Sequence, residues 1–188
     1  SLIKSVDVFV ENMRPGKAEK IGLGWDKVSS INNKIVYCSI SAFGQDGPFA
    51  KRGAYDHVVQ GMTGIMSTTG TKESGPTKVG APYIDYATGL NAAFAITAAL
   101  HETKQNNKPI RLDVSMMDTS LLLMANMVTE HLNSGWIPTP MGNEAQSGSP
   151  SSGMYKTKTV PILLAANNDI QFFNLCDALN SIQEFDKE

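Results

Sequence analysis

Cysteine is nearly missing from this chain: Cys38 and Cys176 are the two in 188 residues, and neither stands in a CxxC or Cys/His spacing. Both lie in apolar surroundings, so buried free thiols in a reducing compartment are expected rather than a disulfide scaffold or a zinc site. Histidine is equally sparse, and His57, His101 and His131 form no metal-ligand pattern, so no metal is expected. An excess of one charge is also lacking, with 16 Lys and Arg against 18 Asp and Glu for a net charge of -2. The basic residues are scattered and leave no nucleic-acid footprint. No apolar run is long enough to span a bilayer, and the longest, around residues 87–100, reads as a buried helix. No stretch has the character of a signal peptide, and there is no internal repeat. These absences point to the cytoplasm, or to the mitochondrial matrix if the source is eukaryotic, with no membrane and no nucleic-acid partner.

What is present suits a packed core: 41% hydrophobic and 18% charged residues. The chain begins at Ser1 and enters a strand within a few residues, so it reads as an internal piece of a longer protein. Ser5–Asn12 is rich in β-branched residues and reads as a strand, broken by Met13-Arg14-Pro15-Gly16. Short helices follow over Lys17–Leu23 and Trp25–Ile31, then a strand over Lys34–Ser41 too apolar to have one face in water. A helix over Tyr55–Met66, a loop over 67–80, the main helix over Tyr86–Thr103, a strand over Ile110–Ser115 and a helix over Met117–Leu132 complete the series. Strands alternating with helices predict a doubly wound α/β domain, with ligands at the carboxyl ends of the strands. Residues 135–153 carry Gly, Pro and Ser and read as a linker or active-site loop. Beyond it, Met154–Thr157 and Ile162–Ala165 look like strands and Asp169–Leu179 like a helix. The expected division is 1–134 for part of a large domain, 135–153 for the loop and 154–188 for the start of a small α+β domain.

The stretch Gly80-Ala81-Pro82-Tyr83-Ile84-Asp85-Tyr86-Ala87-Thr88-Gly89 draws most attention. A polar loop runs into it and an apolar, Ala-rich helix runs out, so Asp85 stands where a helix begins. It fits a helix cap, and it also fits a nucleophilic carboxylate held ionised by the free N–H groups of a first turn.

Three segments together carry a family resemblance: Val8-Phe9-Val10-Glu11-Asn12-Met13-Arg14-Pro15-Gly16, Val36 to Pro48 with its Phe43-Gly44-Gln45-Asp46-Gly47-Pro48 turn, and Asp85-Tyr86-Ala87-Thr88-Gly89. With them the chain resembles the class III CoA-transferases (the CaiB/BaiF family), almost from end to end. Where members of that family carry an Asp-Gly turn, the sequence reads Thr159-Val160-Pro161, and the stretch 156–162 looks shortened. The resemblance implies a Rossmann-like parallel sheet, incomplete in this chain, followed by the start of a smaller domain. It further implies a homodimer of interlocked ring-shaped chains, with an acyl-CoA and a carboxylic acid as partners.

By the same resemblance Asp85 falls on the catalytic aspartate, and Asn12, Lys20, Ile21 and Tyr55 fall where CoA binds. Gly148 and Ser149 fall in a glycine-rich active-site cover. Each also has a plain structural reading: Asn12 a strand end, Lys20 and Arg14 solvated charges, Tyr55 core or interface, and the Ser/Gly loop a linker. Cys38, the Met-rich helix and Asp118 (a helix cap) are read as structural only. CoA would pass from an acyl-CoA donor to an acid through aspartyl anhydride and aspartyl-CoA thioester intermediates, with first-turn amides of the main helix as oxyanion donors. One alternative is a racemase or dehydratase of CoA thioesters. Racemases of this fold carry a His before the Asp in the motif that reads Ala54-Tyr55-Asp56 here, and Tyr55 is a poor base near neutral pH. A non-catalytic dimerisation or binding chain is the reading from another class.

Overall fold

The computed structural model describes residues 2–183. Three strands, β1 (Val8–Glu11), β2 (Val36–Ser41) and β3 (Ile110–Ser115), form a parallel sheet in the order β1-β2-β3. Their register is level: Val8 stands opposite Val36, and Val36 opposite Ile110. Central β2 is closed on both edges and covered on both faces, which is why its apolar run shows no alternation. Tyr37 packs with Val28 and Ile35 on one face, while Cys38 packs with Ala92 and Val114 on the other. Tyr37 stacks on Phe9 at 5.1 Å, meets Trp25 edge-on at 5.9 Å, and its hydroxyl donates to the Leu23 carbonyl at 2.9 Å. Burial pushes the Tyr37 phenol up to about 12, with Glu11 and Glu19 adding to it, and burial pushes the Cys38 thiol up to about 11.

Between β1 and β2 lie α1 (Lys17–Lys20) and α2 (Trp25–Ile31); between β2 and β3 lie α3 (Asp56–Met62) and α4 (Tyr83–Asn106). After β3 come α5 (Met116–Leu123) and α6 (Ala125–Ser134). A third cluster, built of Ala42, Val59, Ile65, Ile84, Met116 and Met124, joins α3, α4 and α5. The buried side of α4 is made of Ile84, Thr88, Ala92, Ala99 and Thr103. Its larger side chains Tyr86, Leu90 and Phe94, four residues apart, lie at 68%, 74% and 77% exposure. The helix is thus apolar nearly all round, as its composition announces, but it packs through its small residues.

Several bounds differ from expectation. β1 begins at Val8 because Leu2–Ser5 winds into a 3-10 turn, held where the Asn32 side-chain amide donates to the carbonyls of Ile3 and Val6 at 2.9 Å each. The helix expected to reach Met66 stops at Met62, where left-handed Gly64 (φ 83°) turns the chain into a 3-10 turn over Ile65–Thr68. The helix over 117–132 is two helices, broken at Met124 (φ -104°, ψ 19°). Asp118 is not the cap of α5: Ser115 is, accepting from the Asp118 N–H at 3.0 Å and donating to its carboxylate at 2.7 Å.

The segment 135–153 is not a free linker. Gly142 N–H donates to the Gly70 carbonyl at 2.7 Å, Met154 N–H to Asn143 at 3.2 Å, and Ser151 Oγ to Ala166 at 2.7 Å. These bonds lead into β4 (Ser152–Tyr155) and β5 (Ile162–Ala165), an antiparallel pair followed by α7 (Asp169–Gln183). Tyr155 pairs with Ile162, so the shortened stretch closes the hairpin as a six-residue loop over 156–161. The remainder of the expected small domain, 184–188, lies outside the described residues.

Candidate active site

β2 and β3 end level, Ser41 opposite Ser115, while β1 ends two residues earlier with Glu11 opposite Ser39, and the loops that follow the three strands open a cleft there. A cavity of about 500 Å³ is lined by Asn12 after β1, Ser41 at the end of β2, Tyr55 before α3, and Asp85, Thr88 and Gly89 on α4. It adjoins a second cavity of about 290 Å³ that shares Asn12, Ser41, Ala42, Ala54 and Tyr55 and adds Arg14 and Arg52. The Arg14 guanidinium lies against Gly53, where an added Cβ would meet Nε at 2.8 Å. Arg52 stands over the Phe49 ring at 4.7 Å. Asn12, Tyr55 and Asp85, three of the residues singled out in the sequence, thus come to one place.

Others do not. Lys20 ends α1, and Ile21 follows it, 55% exposed; neither lines this cleft. Gly148 (φ 65°) and Ser149 line a separate cavity with Glu144, Pro150 and Ser152–Tyr155. His57 stacks on Tyr55 with centroids 6.4 Å apart and does not line the cleft. Among the described residues no group of three or more His, Cys, Asp and Glu comes together as a metal site.

Asp85 is also differently placed than its sequence suggests. α4 starts at Tyr83, so Asp85 is the third residue of the helix and not its cap, and Pro82 at the N-cap position has no side-chain acceptor to offer. The first-turn amides are instead taken by Asp56, at the start of α3: its Oδ2 accepts from the N–H of Ile84 at 2.8 Å and of Asp85 at 3.2 Å. Its Oδ1 accepts from the Gln60 side-chain amide, and Gln60 Oε1 accepts from the Val79 N–H at 2.9 Å. Two expectations fall with this. The first-turn amides are not open for an oxyanion, and the helix end does not hold Asp85 at a low pKa. The Asp85 carboxyl is raised above its ordinary value, by partial desolvation first and by the charge of Asp56 second. The nearby Tyr83 phenol is raised for the same two reasons. Asp56 entered the sequence reading only within the Ala54-Tyr55-Asp56 motif and Gln60 not at all; an Asp four residues before a Gln at a helix start was the signal available.

A parallel sheet with a carboxylate-bearing cleft at its carboxyl edge places the chain among the α/β proteins of Rossmann-like build. Residues 1–187 match CoA-transferase family III, and the chain belongs to this family. Among its relatives is a succinate–glutarate CoA-transferase of Agrobacterium fabrum, 36% identical over 95% of this chain and 44% of the relative. An acetyl-CoA:oxalate CoA-transferase of Acetobacter aceti is 32% identical over 96% of this chain and 46% of its own length. A solved CaiB/BaiF family protein from Brucella suis superposes with a TM-score of 0.84 at 35% identity, over 95% of this chain and 47% of that one. The chain therefore spans less than half the length of these relatives.

Proposed function

We propose that this chain carries the catalytic half-site of an acyl-CoA:carboxylate CoA-transferase, with Asp85 as the nucleophile. One observation carries the reading: an Asp carboxylate with raised basicity faces a cleft at the carboxyl edge of the sheet, in a chain of this family. The Asp85 carboxylate attacks the donor thioester carbonyl; the C–S bond breaks and leaves an anhydride and CoA thiolate. The thiolate attacks the aspartyl carbonyl, the C–O bond breaks, and the donor acid leaves an aspartyl-CoA thioester. The acceptor carboxylate attacks that thioester, and the same steps in reverse return Asp85 as carboxylate. No net proton is consumed.

With the first-turn amides bound to Asp56, the Asn12 amide and the hydroxyls of Tyr55 and Ser41 are side-chain donors in the cleft for each oxyanion. Arg14 and Arg52 line the adjoining cavity and suit the anionic parts of CoA. Lys20 and Ile21, one short helix beyond Arg14, extend that path towards the nucleotide. The Gly148–Ser149 segment belongs to the reading as a cover only if it moves from its own cavity to this one. Residues 1–134 form the CoA-binding part in this scheme, and 154–188 open a smaller one. A homodimer is the assembly the family resemblance implies, and the exposed side chains of α4 offer it apolar surface. A compartment that supplies CoA, cytoplasm or mitochondrial matrix, follows from the activity.

The racemase reading is not favoured, since Tyr55 stands at the His position and no His lines the cleft. The full polypeptide that carries this sequence, incubated with succinyl-CoA and a panel of acids including glutarate and oxalate, should yield new CoA esters. Hydroxylamine should trap the aspartyl thioester, and Asp85→Ala should abolish both. Appreciable transfer by the Ala variant would refute the assignment.

A further inference from the structure

Asp56 has no part in the reaction just described, although it is a buried carboxylate, 8% exposed, held against the backbone of the reacting one. Its two oxygens take three donors, and its partner Gln60 is fully buried. An amide has one donor end and one acceptor end, so the bonds run one way. Val79 N–H donates to Gln60, Gln60 donates to Asp56, and the α4 amides donate to Asp56 from the other side. A neutral acceptor would satisfy the same amides; a carboxylate in that place also occupies the anion site of the helix end and denies it to Asp85.

From this geometry we propose that Asp56 and Gln60 are positioning residues for Asp85. They fix the first turn of α4 against the loop before it, and they place a negative charge beside the backbone of the nucleophile. The kinetic consequence rests on the transferase reading; the positioning does not. Desolvation first and the Asp56 charge second raise the Asp85 carboxyl. The other titratable or charged side chains lining the joined cleft are Tyr55, Arg14 and Arg52, and Tyr83 stands near Asp56 at the start of α4.

The test is a swap in the full polypeptide. In D56N the new NH₂ faces a donor on one side or the other, and Gln60 cannot flip to accept it without turning its own NH₂ on Val79 N–H. In D56N/Q60E every bond is remade: the new amide at position 56 accepts from the α4 amides and donates to the new carboxylate at position 60, which still accepts from Val79. The charge then stands one side chain farther from Asp85. Acylation of Asp85 is measured per folded site in a single turnover with succinyl-CoA and hydroxylamine trapping, and exchange of the Ile84 and Asp85 amides without substrate.

D56N should lose about 100-fold in acylation, the scale of a misplaced catalytic group, and expose both amides. The double variant should recover amide protection and most of the rate, with the acidic limb of its pH profile moved to lower pH. Unchanged acylation in D56N despite lost protection would reduce Asp56 to a structural cap and overturn the proposal. So would a double variant with a wild-type acidic limb, which also decides the matter if D56N does not fold. Absence of hydroxamate in the wild type would overturn the transferase reading instead. Amide exchange and carbodiimide labelling of Asp85 then decide the positioning, and only a protected–exposed–protected order supports it.

Discussion

Ile84 joins the core to the site: its side chain is fully buried, its amide is bound to Asp56, and the next residue is the proposed nucleophile. Ile84→Ala removes three carbon groups from the cluster of Val59, Ile65, Met116 and Met124. At about 0.8 kcal/mol per carbon the transfer loss is about 2.4 kcal/mol. The residual cavity adds to it, although two flexible methionines relax into the space, so about 3 kcal/mol is expected in total. Ile84→Val removes one group and should cost about 1 kcal/mol. Urea unfolding of the full polypeptide, followed by circular dichroism with unchanged slope, reads both values. The bond from Ile84 to Asp56 is a backbone bond and survives either change, so acylation per folded site should stay within about tenfold, far from the cost of a misplaced group. An Ala variant costing less than about 1 kcal/mol, or a Val variant costing as much as Ala, would refute the packing argument.

Asp85→Asn should abolish transfer and slightly raise stability at neutral pH. The folded pKa of Asp85 is raised, so its ionised form opposes folding, and the gain of the Asn variant should fade as pH falls below the ordinary carboxylate range. The side chain is exposed, which limits the gain to about 0.5 kcal/mol after screening; equal melting curves at about pH 3 with a higher Asn curve at about pH 7 would bear this out. Cys38, buried with its thiol near 11, should resist a thiol reagent at about pH 8, where only about 0.1% is thiolate, until urea unfolds the sheet. Rapid labelling of Cys38 in the native protein would contradict it. Tyr37→Phe should cost about 1–2 kcal/mol, because the Leu23 carbonyl loses its donor with the ring packing unchanged. A loss below about 0.3 kcal/mol would show that water replaces that donor.

The strands and helices with strong local patterns were legible in the residues: β3 at Ile110–Ser115 and α2 at Trp25–Ile31 stand where periodicity and turn residues put them. The ends that differ were decided by distant partners. Asn32 shortens β1 by binding carbonyls 26 and 29 residues away, and no window around β1 contains it. The site divides in the same way. Asn12, Tyr55 and Asp85 follow turns at strand ends or open helices, where local signals are strong. Asp56 reaches across 28 residues to Ile84, and its effect on Asp85 reverses the charge argument that a helix start alone supports. Lys20 and the Gly148–Ser149 segment carried suggestive residue types, but their placement depends on how α1 and the 142–153 segment dock, which composition does not encode.

The level starts of β1, β2 and β3 bear on how such a protein changes over time. Each strand delivers its loop to the same edge of the sheet, from a register set at the far edge by Val8, Val36 and Ile110. The exposed residues of segments 12–16 and 43–55 can therefore be exchanged one loop at a time without shifting a strand, whereas Ala42 and Met116 belong to the core. Under the proposed function, a change in the acid accepted would then come from the loop residues that line the cleft, in single steps that leave the register of the sheet untouched.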